Sequence, residues 1–275
     1  MSITRALRAH WPEYLIEAWG LGVFMISAGI FTTLLESPAS PVQQAIADPD
    51  IRRALIGVAM GLTAISIIYS PWGQRSGAHI NPAVTLTFLR LGKMARWDAL
   101  FFIIAQFAGG TLGVLVAVWM LGAHFTNPPV AYAATVPGPT GPWTALVAEF
   151  AISVGLMLMV LCVSNSKHYA RYTGLCAGCV VALYITFEAP LSGMSMNPAR
   201  TFASAVAGGG WADAWIYYTA PVLGMQAAVF LHGLIRPAQP VKCAKLDHPD
   251  HVRCIHCGYE PAARRDKQTT LATTS

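Results

Sequence analysis

The feature that most limits what this chain can fold into is a phrase that occurs twice inside apolar sequence. Ser76 to Thr85 reads SGAHINPAVT and Ser192 to Thr201 reads SGMSMNPART, so Asn81 and Asn197 lie 116 residues apart in a chain of 275. Asparagine is a favoured helix N-cap, and proline suits the first helical position because its missing N–H has no intrahelical partner anyway. The pattern predicts helix starts at Asn81-Pro82-Ala83 and Asn197-Pro198-Ala199. The runs they open, Asn81–Leu91 and Asn197–Val206, give about two or three turns and reach only the middle of a bilayer. Paired interrupted segments at matching positions of two repeats point to a transport site in a membrane.

The rest of the chain agrees with a membrane setting. Hydrophobic residues make up 55% and charged residues 11%, with a mean hydropathy of +0.49; a soluble domain carries roughly 25% charged residues. Six runs are long enough to span: Tyr14–Leu35, Arg53–Tyr69, Trp97–Leu121, Trp143–Ser164, Thr173–Phe187 and Ala214–Ile235. Tyr14–Leu35 is too long for a signal peptide and contains Glu17, so it reads as the first span. Each repeat, about 10–121 and 143–236, holds three spans with a short helix before the last, and Gly122–Pro142 joins them. Three is odd, so the second copy enters the membrane inverted. The expected fold is an all-α membrane protein with six transmembrane helices and two re-entrant half-helices in an inverted repeat, over residues 1–236. Residues 237–275 form a polar tail.

With both termini cytoplasmic, fifteen of the eighteen Lys and Arg fall inside, and only Arg52, Arg53 and Arg200 remain outside. The localisation expected is multi-pass in the plasma (inner) membrane. The net charge of +5 is accounted for by these short loops and the tail. With no run of five or six like charges, a nucleic-acid partner is not expected.

Two half-helices entering from opposite sides point their N-termini at one another. Each carries about +0.5 of an elementary charge in effect, which opposes cations. The asparagine oxygens cap backbone amides, leaving NH₂ groups to donate into a lumen. Such a site accepts a neutral molecule with oxygen lone pairs and rejects hydronium or sodium. Two such boxes in six spans, each preceded by Ser-Gly, with Arg200 directly after the second, resemble the aquaporin (major intrinsic protein) family over roughly residues 10–236, as a bacterial-type water channel with an unusual filter. The resemblance implies that Arg200 lines an outer selectivity constriction, that Glu17 and Glu149 accept hydrogen bonds from the re-entrant loops, and that the protein is a homotetramer in the lipid bilayer with one pore per subunit. His79 reads as a loop-packing histidine.

The rest of the filter departs from the water-selective pattern. Ile185 stands where that pattern places histidine, and Met194 where a small residue or cysteine is common. The second-helix position is Met60 or Gly61, with Met60 favoured by the Ala-Met-Gly-Leu match. A filter of Met60, Ile185, Met194 and Arg200 is less polar than a water-selective one. Thr201 stands where the glycerol-facilitating branch has aspartate, and Tyr217 and Tyr218 fit water channels better. The expectation is passive passage of water and small uncharged solutes, with protons and ions excluded; a glycerol or small-solute facilitator of the same family is the alternative. A proton-coupled transporter using Glu17, Glu149 and His79 is the rival from another class. No catalytic constellation is present in the spans, so an enzyme is not expected.

Cys162, Cys176 and Cys179 lie in apolar segments and read as packing residues. The tail differs: Cys243, His248, His251, Cys254, His256 and Cys257 crowd into fifteen residues. Zinc takes four N/S ligands, which Cys243, either His248 or His251, Cys254 and Cys257 can supply. No cofactor is required by the family resemblance, so this candidate zinc site stands apart from it.

Overall fold

The computed structural model describes residues 2–261; the tail residues Arg264, Arg265 and Lys267 counted above lie outside them. Eight helices carry the architecture: α1 Ile3–Glu36, α2 Pro49–Tyr69, α3 Pro82–Arg90, α4 Arg96–Leu121, α5 Pro142–Ser164, α6 Thr173–Phe187, α7 Pro198–Gly208 and α8 Ala214–Ile235. Six of these are long and apolar enough to cross a membrane, α6 being counted together with the short turn Ala170–Tyr172 before it. The described residues contain no strand.

Two helix starts differ from the hydropathy reading. Helix α1 begins at Ile3 rather than Tyr14 and runs through Pro12, with the Ser2 hydroxyl accepting from Arg5 N. Helix α2 begins at Pro49, where the Asp48 carboxylate caps Asp50 N and Ile51 N at 2.8 and 3.3 Å. Hydropathy marks where lipid lies; capping marks where a helix starts, and both helices continue into the polar interface.

The packing follows the repeat. The most extensive pairings are α1 with α4, α5 with α8, and α2 with α6. The first two are the same contact in each repeat, and the third joins the repeats. Each half-helix packs on the last helix of the other repeat, α7 on α4 and α3 on α8. Lipid is as apolar as leucine, so helices associate through close backbone approach at small residues. A Cβ on Gly109 would lie 2.0 Å from Ala18 O, and one on the equivalent Gly224 would lie 2.5 Å from Phe150 O. Cys179 is exposed on α6 rather than packed inside.

Arg75 Nε meets Glu13 Oε1 at 3.0 Å, and Leu246 N donates to Gly77 O at 3.2 Å. The start of α1 and the tail therefore share one face, called the tail face below.

Candidate functional site

Both half-helices start as their sequence dictates. The Asn81 side-chain oxygen accepts from Ala83 N at 2.9 Å, and that of Asn197 accepts from Ala199 N and Arg200 N at 3.1 and 3.3 Å. Pro82 and Pro198 occupy the first helical positions. The amide nitrogens then cross over: Asn81 Nδ2 donates to Met196 O at 2.7 Å, and Asn197 Nδ2 to Ile80 O at 2.8 Å. This refines the expectation of free NH₂ groups. Each amide has two N–H bonds; one ties down the opposite loop, and only the other is left for a molecule in the lumen.

The chain before each cap takes an unusual path. Ala78 and Ile80 in the first loop, and Met194 and Met196 in the second, all have φ between 41° and 53°. For residues with a Cβ this left-handed backbone costs on the order of 1–3 kcal/mol each, so the surroundings must hold it. Glu17 and Glu149, both fully buried, are placed to do so. Glu17 accepts from Ser76 Oγ (2.8 Å), His79 N (3.1 Å), Ile80 N (2.6 Å) and Gln106 Nε2 (2.8 Å). Glu149 accepts from Ser192 Oγ (2.9 Å), Ser195 N (2.6 Å) and Met196 N (2.8 Å). With these donors arranged around them, the two carboxylates are tied into the re-entrant loops. Tyr217 adds a third tie by donating to Ser192 O.

Met60, Ile185, Met194 and Arg200 all line one cavity of about 510 Å³, together with Asn81 and Asn197. Glu36, Pro49 and Arg53 stand at the end away from the tail, and Leu246 at the tail end. Gly61 is turned to α6 instead, where a Cβ would sit 2.5 Å from Gly178 O, so Met60 is the α2 residue facing the lumen. Arg200 lines the cavity, and its Nη1 is buried with no protein hydrogen-bond partner among the described residues. His79 has both ring nitrogens engaged, Nδ1 with Thr85 Oγ1 at 3.1 Å and Nε2 with Ala244 O at 2.7 Å.

The tail brings together Cys243, His248, Cys254 and Cys257, whose ligand atoms all lie within 4.8 Å of one another. His251 is exposed and outside this group. Hydrogen bonds from the Cys243 thiol and from His248 hold the Cys254 thiol below its ordinary value. His256 turns away from the cluster, its Nε2 meeting Ser76 O at 2.9 Å, and burial lowers it to about 4.

Sequence reasoning missed the parts played by five residues. Leu246 reaches the lumen only because the tail folds back, and no local pattern signals that. The serines Ser76 and Ser192 and the threonines Thr85 and Thr201 were visible as the matched ends of the repeated phrase. Thr201 bonds Ser195 Oγ at 2.6 Å as Thr85 bonds His79, so each loop is closed onto its own half-helix.

A family model described as "Major intrinsic protein" matches residues 8–232. Aquaporin NIP2-3 of Zea mays is 34% identical over 231 residues, covering 82% of this chain and 74% of the relative. Aquaporin NIP1-4 of Oryza sativa subsp. japonica is 34% identical over 182 residues, covering 66% of this chain and 64% of the relative. Among solved structures, the aquaglyceroporin from Plasmodium falciparum superposes with a TM-score of 0.69 at 20% identity, over 83% of this chain and 98% of that one, a likeness of fold.

Proposed function

The chain belongs to the major intrinsic protein family of passive, non-enzymatic membrane channels, and from that premise we propose that it conducts water and small uncharged solutes while excluding protons and ions. The observation that carries the reading is the meeting of the two half-helix N-termini, cross-tied by Asn81 and Asn197 in a cavity that also holds Arg200. Positive ends of half-helices and a fixed guanidinium oppose a cation at its narrowest passage, whereas a neutral molecule finds donors for its oxygen.

The composition of the filter sets the solute range. Met60, Ile185 and Met194 supply three apolar walls and Arg200 the polar one. Such a filter wets less readily than one with a histidine and suits solutes having both a hydroxyl and a carbon skeleton. Water is the first substrate, and small polyols are the second. The proton-coupled alternative has little to work with, since Glu17 and Glu149 are bound into the loops and both nitrogens of His79 are engaged.

The Lys and Arg distribution favours the tail face as cytoplasmic in the plasma membrane. Glu17, Glu149, Met60, Ile185, Met194, Arg200 and the two Asn-Pro-Ala boxes are the residues to which we assign the channel's function. The resemblance to the family favours a homotetramer, which native mass measurement in detergent tests. Proteoliposomes subjected to sucrose and then glycerol gradients test the substrate reading. Sucrose should drive fast water loss, and glycerol should drive water loss followed by re-swelling faster than in protein-free vesicles. Re-swelling no faster than in protein-free vesicles would restrict the channel to water.

A further inference from the structure

The family pattern leaves the tail unexplained, although Val241, Ala244, Lys245, Leu246 and Cys254 are buried in it. After α8 the chain crosses the tail face of both repeats. Lys242 N donates to Asn165 Oδ1 at 2.7 Å at the end of α5. Beyond it, Leu246 N donates to Gly77 O, and Gln74 Nε2 donates to Asp247 at 2.9 Å. His256 Nε2 reaches Ser76 O, and Ala244 O accepts from His79. Val241, Ala244 and Leu246 join the same apolar cluster as Ala78, Val160 and Ala177. Apolar burial in this stretch rests on Val241, Ala244 and Leu246, interleaved with Lys242, Lys245 and Asp247.

A further constraint is present in the side chains. Cys243 Sγ lies 3.4 Å from Cys254 Sγ, and His248 Nε2 lies 3.2 Å from Cys257 Sγ. Zinc bound by sulfur at about 2.3 Å and nitrogen at about 2.0 Å has tetrahedron edges of about 3.5 to 3.8 Å, so small side-chain shifts bring all four atoms to one ion. The backbone is shaped for it: Gly258 has φ 74°, Gly258 N donates to Cys254 O, and Cys254 N donates to Tyr259 O. This turn brings Cys254 and Cys257 together.

We infer that Cys243, His248, Cys254 and Cys257 bind one zinc(II) ion, which folds the tail into a knuckle that seats Leu246 in the tail-face mouth of the pore and restricts flow. Cys243 and His248 lie on either side of Leu246, so the ion fixes both ends of the segment that carries it. At the mouth Leu246 faces Ile68, Ala78, Val160 and Ala177. An apolar ring of this kind resists passage by shedding water. Metal occupancy is thereby coupled to the position of the plug, and loss of the ion frees Gly77 O and Ser76 O from the tail.

The test uses the full-length protein, purified without added metal and reconstituted in proteoliposomes. Elemental analysis should find about one zinc per chain, removed by a strong chelator and reduced at least tenfold in Cys257→Ser, whose side chain is exposed. Hydrogen exchange at residues 76–79 should rise on zinc removal and reverse on adding zinc. Water flux per channel should rise at least twofold in chelated protein and in Leu246→Gly, which retains its zinc. Less than one zinc per ten chains, another metal in its place, a metal-free Cys243–Cys254 disulfide, or exchange and flux indifferent to zinc would overturn the inference. Only the flux arm rests on the water-channel reading. If no sample passes water, that reading falls, while zinc content and hydrogen exchange still decide the knuckle.

Discussion

The two re-entrant loops share one plan and present different chemistry. In both, a buried glutamate from the first helix of the repeat accepts from a serine and from successive backbone amides, and an asparagine caps a half-helix and clasps the opposite loop. The positions that differ are those facing the lumen. Arg200 follows the second box where Val84 follows the first, and Met194 stands where the first loop has Ala78. His79 corresponds to Ser195; the histidine reaches the tail, whereas Ser195 Oγ stays within its own loop. The shared positions build the backbone path, and the divergent ones line the cavity with different chemistry, charged at Arg200 and apolar at Ala78 and Val84.

That division can be challenged by exchanging or removing single residues. The largest effect is expected from the glutamates. Glu17→Ala leaves Ser76 Oγ, His79 N and Ile80 N without their acceptor, whereas Glu149→Ala does the same to Ser195 N and Met196 N, since Gln106 Nε2 keeps Thr85 and Ser192 Oγ keeps Glu188. Buried donors left unpaired cost about 1–3 kcal/mol each. Both variants should lose several kcal/mol, with Glu17→Ala the less stable, as read from the thermal aggregation midpoint in detergent. Equal, small losses would mean that the loops hold their shape without these braces.

Next comes Arg200→Val, which gives the second loop the residue of the first. A unit charge acting over about 5 Å at an effective dielectric of about 20 is worth about 3 kcal/mol. The proton leak through the variant should therefore rise by about ten- to a hundredfold, measured with a pH-sensitive dye inside vesicles. An unchanged leak would assign the exclusion to the half-helices alone.

The equivalent glycines at the helix crossings test how closely the repeats match in packing. Gly109→Ala meets Ala18 O at 2.0 Å and Gly224→Ala meets Phe150 O at 2.5 Å. Forcing an extra carbon into such contacts costs about 1–3 kcal/mol, and Gly109→Ala should be the costlier of the two in the same unfolding measurement. The smallest effect is expected from Ile185→His, which makes one apolar wall of the filter polar. Glycerol flux should fall relative to water by about tenfold, in the range one pocket side chain can discriminate.

Much of this was legible in the sequence because the deciding residues repeat. Asn81 and Asn197, the prolines after them, and Glu17 and Glu149 each have a counterpart in the other half, so one copy helped to interpret the other. What has no counterpart was harder to place. Whether Met60 or Gly61 faces the lumen depends on the rotation of α2, which the contact of Gly61 with α6 decides. Whether His248 or His251 joins the cysteines depends on how the tail lies across the opposite end of the pore. The left-handed backbone at Ile80 contradicts the preference of a β-branched residue and is intelligible only once Glu17 is placed beside it. The extension of α1 back to Ile3 carries Thr4, Arg5, Arg8 and His10, where hydropathy gives no helix signal.

Passage of a neutral molecule and rejection of a charged one between opposed half-helices can be measured by paired fluxes on the same proteoliposomes. Osmotic water flow and dissipation of a pH gradient would be recorded on vesicles with and without protein. Water flow well above that of empty vesicles, with a proton leak equal to theirs, is the predicted result. Water flow equal to that of empty vesicles, or a proton leak that rises with protein content alongside it, would contradict it.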